Sequence, residues 1–241
     1  MTKWSLSSNF SLTYNPSSVW SYGSKPAGYH VTGTFSLFTH LDLEPNEHEI
    51  AAWFGGGTIW YTHWLGLYYN TKPTAVNLGT IELIANGVAM HPGDDGRFSV
   101  ARFTAPRDGN YVLDVTFTHI HDCAQHSGGY IIYNSVTAIW EVDLTGPGDS
   151  RLFKTTDSGI TVRANEHIDF IVGVGIDNKY DCDMTLARVD IHLLDLLENQ
   201  PGIIAGSIGF GFVLGIIISA ILFHIYYRYR ENRRNGYQAI N

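Results

Sequence analysis

The run Asp177-Asn178-Lys179-Tyr180-Asp181-Cys182-Asp183 sets four oxygen-bearing side chains, Asp177, Asn178, Asp181 and Asp183, into one short turn. Calcium takes about six to eight oxygen ligands and commonly gathers them from such turns. The spacing fits no defined calcium loop, so a second reading stays open: a solvated turn in which Asp183 hydrogen-bonds its own backbone. Calcium is the one cofactor candidate, and no cofactor is required.

A second group is His119-Ile120-His121-Asp122-Cys123-Ala124-Gln125-His126. On a strand, His119 and His121 would share one face, a spacing some zinc sites use, and His126 could fold back as a third ligand. The chain has 11 histidines, so neighbours also arise by chance. Structural imidazoles, or ones that respond to compartment pH, fit equally well. The third group is aromatic: Trp53, Trp60, Tyr61, Trp64, Tyr68 and Tyr69. Exposed rings on a sandwich stack against sugar faces, which makes Trp53, Trp60 and Trp64 candidate glycan contacts; the same rings can equally fill a core. No G-x-S-x-G, P-loop, H-E-x-x-H or paired C-x-x-C motif is present. A glycosidase needs only two carboxylates, which no motif reveals.

The elements that would position these groups read as strands. Tyr29, Val31, Gly33, Phe35 and Leu37 alternate with His30, Thr32, Thr34 and Ser36. The same period of two recurs at Tyr111–Phe117, at Ile168–Val174 and at Ala187–Leu193. Turn clusters separate the rows: Gly55-Gly56-Gly57, Pro92 to Gly96, Pro106 to Gly109 and Gly146 to Asp149. No amphipathic helix precedes residue 195. The pattern predicts an all-β, jelly-roll-like β-sandwich over residues 1–194.

Residues 195–202 read as a juxtamembrane linker, and 203–227 as one transmembrane α-helix. From Ile203 to Tyr227 there is no Asp, Glu, Lys or Arg, and such a helix spans a bilayer core of about 30 Å. Arg228, Arg230, Arg233 and Arg234 follow at once, in a basic tail over 228–241 that the positive-inside bias places in the cytosol. The preceding domain then lies in a lumen or outside the cell. The spacings Gly202/Gly206 and Gly211/Gly215 each allow a second helix to approach closely. Of the net charge of −8, the tail contributes +3, leaving −11 on the rest, which excludes nucleic acid as a partner. The N-terminus shows no apolar h-region, so a lumenal domain implies an upstream signal peptide. Asn9-Phe10-Ser11 is the only sequon without proline, making Asn9 the expected glycosylation site. Cys123 and Cys182 are compatible with one disulfide or with two free thiols.

Three stretches in order, NFSLTYNPSSVWSYG, HPGDDGRFSVARFTAPRDGNYVLDVTF and ITVRANEHIDFIVGVGIDNKYDCDMTLARVDIHL, resemble a domain of secreted or surface-anchored bacterial proteins, including planctomycete and PEP-CTERM-anchored ones. The resemblance implies a carbohydrate-binding-like sandwich over roughly residues 4–194. Phe103 stands where that family has Trp, and Asn165-Glu166 replaces its Gly-Asp. Cys123 and Cys182 fall where it has no cysteine, and their joint presence supports pairing.

The tail ends Gly236-Tyr237-Gln238-Ala239-Ile240-Asn241 and resembles the G-Y-x-x-Φ sorting signals of lysosome-associated membrane glycoproteins. Together these readings describe a single-pass type I membrane protein, at the cell surface or on endosomal or lysosomal membranes, whose outer domain is a binding module for glycans or glycoproteins. A hydrolase on the same fold and an adhesive surface protein are the alternatives. A sorting adaptor takes such a tail as an extended strand, with Tyr237 and Ile240 in separate pockets. Tyr237→Ala and Ile240→Ala should therefore each shift the protein from internal acidic compartments to the cell surface, and Gln238→Ala should not. Imaging the three variants checks this; an unchanged pattern for Tyr237→Ala would end the sorting assignment.

Overall fold

The computed structural model describes residues 2–43, 50–55, 64–123 and 125–194, all within one compact unit, Met1–Asp195. Trp60, the linker 195–202, the apolar segment 203–227 and the tail 228–241 with Tyr237 and Ile240 lie outside the described residues. Among the described residues no helix is long and apolar enough to cross a membrane.

Strands are numbered in chain order. One sheet runs β14 (Ser150–Lys154), β11 (Gly109–His119), β17 (Thr185–Leu194), β9 (Val88–His91), β6 (Gly66–Asn70), β5 (Ile50–Phe54) and β4 (His40–Asp42). To it β1 (Thr2–Ser5) adds on β17, and β15 (Ile160–Val162) on β11. The second sheet runs β13 (Thr137–Leu144), β12 (Ser127–Tyr133), β16 (His167–Val174), β10 (Arg97–Thr104), β2 (Trp20–Pro26) and β3 (Ser36–Leu37). β7 (Val76–Leu78) and β8 (Ile81–Leu83) pair as a separate hairpin.

Alternation along the long strands builds the space between the sheets. Tyr111, Leu113, Val115 and Phe117 of β11 lie beside Ala187, Val189, Ile191 and Leu193 of β17, in register Leu113↔Ile191 and Val115↔Val189. From the other sheet, Trp20, Tyr22, Ala101, Phe103, Ile168, Phe170 and Val172 close onto the same cluster. Burying such side chains contributes about 1.5–3 kcal/mol each before entropy is counted. Three of the four rows of alternating residues are thus strands with one face in the core, in an all-β sandwich.

The fourth row is not a strand. Only Ser36 and Leu37 pair, with Ser24 and Gly23. Residues 27–35 instead form a flap over the outer face of the second sheet. There Ala27, Val31 and Phe35 cover Phe98, Val100, Ile132 and Ile171. The reason is visible in β10 and β16, whose outward positions are apolar too and need a cover of their own. The β7–β8 hairpin serves the larger sheet in the same way, with Ile81 and Leu83 packed on Ile50, Ala52, Tyr68 and Ala89.

Under the flap lies a fully buried charge. Asp169 of β16 receives Arg102 Nε on one oxygen at 2.6 Å and Arg102 Nη2 on the other at 2.9 Å. Lys25 Nζ, as buried as Asp169, stands 2.8 Å from Asp169 Oδ2. The same ammonium donates to the carbonyls of His30 and Val31 and to Ser135 Oγ, each at 3.1 Å. Arg102 also lies over the Phe35 ring, 4.0 Å from its centroid. One carboxylate thus gathers the two cations that hold the flap down. Removing it leaves both uncompensated, so Asp169→Ala should lower stability by about 3–5 kcal/mol in urea unfolding. The all-apolar triple variant Lys25→Met/Arg102→Met/Asp169→Leu should recover most of that loss. A small effect of Asp169→Ala would contradict this view of the network.

Candidate functional site

β13 is the edge strand of the second sheet, and its outward residues Glu141 and Asp143 register with Tyr130 and Gly128 of β12. Past the end of β16, Gly175 and Ile176 complete an open groove of about 330 Å³, which Val142 also lines. Two glycines let its walls pack closely. A Cβ on Gly128 would meet Tyr130 Oη at 2.4 Å and the Val174 carbonyl at 2.5 Å, and one on Gly175 would meet His126 Cβ at 2.4 Å and Asp143 Oδ1 at 2.6 Å. The Glu141 carboxylate is half exposed and lies 3.5 Å from His30 Nε2. The His30 ring of the flap packs on Tyr130 with centroids 4.3 Å apart. Asp143 accepts the Ile176 N–H at 2.9 Å and bonds His126 Nδ1. Tyr130 Oη donates to the Val174 carbonyl at 3.1 Å. Burial, and then Glu141, Asp143 and Asp183, push the Tyr130 hydroxyl up to about 12, so it stays protonated. The groove therefore offers part of a tyrosine ring that is otherwise packed on His30 and Phe98, an exposed isoleucine and two carboxylates that accept hydrogen bonds.

Beside it lies the turn 177–183. The Cys123–Cys182 disulfide, with Cα atoms 6.0 Å apart, ties this turn to the β11–β12 connection. Closing a loop with a separation of 59 residues stabilises by up to about 4 kcal/mol in the chain-entropy view. The next residue, Asp183, is fully buried, and both its carboxylate oxygens lack a hydrogen-bond partner. Its side chain does not bond its own backbone. Thr185 Oγ1 and Ser127 Oγ donate instead to the Asp183 carbonyl, at 3.1 and 3.4 Å. Burial, and then the charges of Asp177, Asp181 and Asp143, push the Asp183 carboxyl up to about 9. Asp177 is half-buried and accepts the backbone N–H groups of His126 and Lys179, each at 3.2 Å. Asp181 and Asn178 are exposed. Asp143, which the pattern of the turn could not reveal, comes from a different strand.

The other candidate residues are scattered. Trp53 belongs to the core: it is 5% exposed, and its Nε1 donates to the Ser11 carbonyl at 2.7 Å, so its ring offers no face to a sugar. Trp64 is half-buried with its ring 5.6 Å from that of His91. Asn9 is exposed, and its Oδ1 accepts the Ser5 N–H at 2.9 Å. His119 ends β11 fully buried, while His121 lies beyond the strand, so they do not share a strand face. His126 turns to Asp143 instead of joining them. Among the described residues, the one set of three ligand-type side chains with donor atoms within 4.8 Å of one another is His121, Cys123 and Cys182, whose sulfurs are in the disulfide. A second groove, of about 430 Å³, includes Thr116, Thr118, Arg188 and Asp190 but no aromatic ring.

No family model matches the chain, and no curated protein matches it. Three solved structures illustrate what it is similar to. CBM51 from Clostridium perfringens GH95 in complex with methyl-galactose is 10% identical, over 64% of this chain and 100% of that one, with a TM-score of 0.36. The C-terminal CBM6 of LamC from Zobellia galactanivorans is 12% identical, over 42% and 84%, with a TM-score of 0.24. The N-terminal cellulose-binding domain of Cellulomonas fimi β-1,4-glucanase C is 14% identical, over 55% and 85%, with a TM-score of 0.29. At scores this low the likeness extends to neither ligand nor site. The resemblances to bacterial surface-anchored proteins and to lysosomal tails find no support in these comparisons.

Burial is the largest cause holding His91, His119, His121 and His167 below the ordinary imidazole value. His91 falls to about 4, although its Nδ1 bonds the Pro92 carbonyl at 2.6 Å. A depressed folded value means that the unfolded chain takes up the proton first. The His91 contribution is therefore intact above about pH 6.5 and is lost as pH falls toward 4, reaching about 2 kcal/mol at pH 5. Asp183, raised in the fold, works in the opposite direction across this range. The comparison that isolates the histidine is between wild type and His91→Asn, which keeps a donor for Pro92. Between pH 7 and pH 5 the variant should gain about 2 kcal/mol relative to wild type in urea unfolding. A constant difference would contradict the burial argument.

Proposed function

We propose that the sandwich is a glycan-binding module and that the groove at the β12–β13 edge takes the sugar. The observation that carries this reading is one open groove lined by Tyr130, Glu141 and Asp143 together with the exposed Ile176. A pyranose presents apolar C–H groups on one face and hydroxyl donors around its edge. A tyrosine ring and an isoleucine suit the first, and carboxylate acceptors suit the second. Two carboxylates, on a domain of strongly negative charge, favour neutral or amino sugars over acidic ones. In this reading the uncharged segment 203–227 holds the module on a membrane, the module faces a lumen or the exterior, and Asn9 carries a glycan of its own. The tail with Tyr237 and Ile240 is read by an adaptor. The support for these features is the sequence pattern alone.

A glycan array probed with the purified protein tests the binding claim. Wild type should retain neutral or amino sugars. Glu141→Gln, which keeps the shape and removes the charge, should weaken retention about tenfold, equivalent to about 1.4 kcal/mol, with the melting temperature unchanged. Ile176→Ala, at an exposed position, should weaken retention as well by removing the apolar contact. No retention by wild type, or equal retention by Glu141→Gln, would reject the assignment. Release of reducing sugar in the same incubation would reassign the groove to hydrolysis.

A further inference from the structure

We infer that Asp183, with Asp177, Asp143 and Asp181 around it, forms a calcium site at the disulfide-tied end of the sandwich. The inference does not depend on the groove holding a glycan. It rests on a side chain that the protein part of the structure leaves unanswered. Asp183 is fully buried, and neither carboxylate oxygen has a hydrogen-bond partner. A buried carboxylate normally has a cation or several donors, because stripping its water without replacement costs several kcal/mol. Among the described residues, no lysine or arginine pairs with Asp177, Asp181 or Asp183. The charges that act on Asp183 are themselves carboxylates: Asp177, Asp181 and Asp143. A divalent cation between them accounts for like charges gathered around a buried like charge.

The donor chemistry selects the ion. Every candidate ligand is oxygen, which suits a hard cation and does not favour zinc. The carboxylates are held unequally. Asp143 is fixed by the Ile176 N–H and His126, and Asp177 by two backbone N–H groups. Asp181 is exposed on the turn. No three of these carboxylates bring oxygens within 4.8 Å of one another, so the set must contract onto an ion. Calcium tolerates such irregular geometry, completed by backbone carbonyls and water, whereas magnesium demands a near-ideal octahedron. The disulfide at Cys182 and the Ser127 and Thr185 hydroxyls on the Asp183 carbonyl fix the backbone at the centre of the set.

Isothermal titration of calcium chloride into the full-length protein, freed of metal by chelation, tests the site. Wild type should bind one calcium per chain, at or below the roughly 0.1–1 mM typical of extracellular modules. Calcium should also raise its melting temperature, and magnesium should do so weakly. Asp183→Asn preserves shape and should weaken binding at least tenfold. Asp177→Asn, at a half-buried position, should weaken it as well, and it serves if Asp183→Asn fails to fold. Lys3→Ala, beside the end of β17 remote from Thr185, should leave affinity unchanged. Absence of both heat and stabilisation in wild type at about ten times that concentration would overturn the proposal. So would undiminished affinity in a folded Asp183→Asn, or in Asp177→Asn where Asp183→Asn does not fold, and an equal response to magnesium would overturn the choice of ion.

Discussion

A carboxylate taken out of water must be answered by positive charge or by donors, and this sandwich buries two in contrasting ways. Asp169 is met by Lys25 and Arg102 at 2.6–2.9 Å. Asp183 is met by nothing in the chain except further acids. The first arrangement is closed and structural. Its cations reach beyond the carboxylate to the carbonyls of His30 and Val31 and to the Phe35 ring, so a single buried charge pins the flap across the second sheet. The second arrangement is open, and it sits where the molecule's remaining chemistry is gathered.

That location follows from the cover. With residues 27–35 laid over β10 and β16, and the β7–β8 hairpin over the larger sheet, much of both outer faces is apolar and sealed. At the β12–β13 edge the surface stays open as the groove. His30 of the flap touches both the Asp169 network, through its carbonyl on Lys25, and Tyr130 of the groove, through its ring. On the other side, the disulfide fixes the turn that carries Asp177 to Asp183. Groove and acidic set share Asp143, so a ligand in one alters the charge felt by the other.

Sandwich class and the long core strands β11, β16 and β17 were legible because sustained alternation puts one face of an extended chain against apolar neighbours and the other toward water. Tyr29 to Leu37 misled because period two reports burial on one side and not pairing: Val31 and Phe35 point inward from a flap as they would from a strand. Tryptophan content pointed toward sugar contacts at Trp53, yet a large ring beside the Ser11 carbonyl is better satisfied inside. The acidic turn was legible as residues, and its meaning was not. Burial of Asp183, and the approach of Asp143 from another strand, are long-range facts that a local motif does not carry. Asn165 holds a left-handed backbone at φ 67°, which asparagine tolerates better than most residues.

The most direct test of the contrast between the two buried carboxylates is long-wavelength anomalous diffraction from crystals grown in calcium. The expected result is one strong peak about 2.4 Å from an Asp183 carboxylate oxygen, with Asp177 and Asp143 in its coordination sphere, and none near Asp169. An Asp183 carboxylate that stays without an ion, or a peak that appears only elsewhere on the surface, would contradict it.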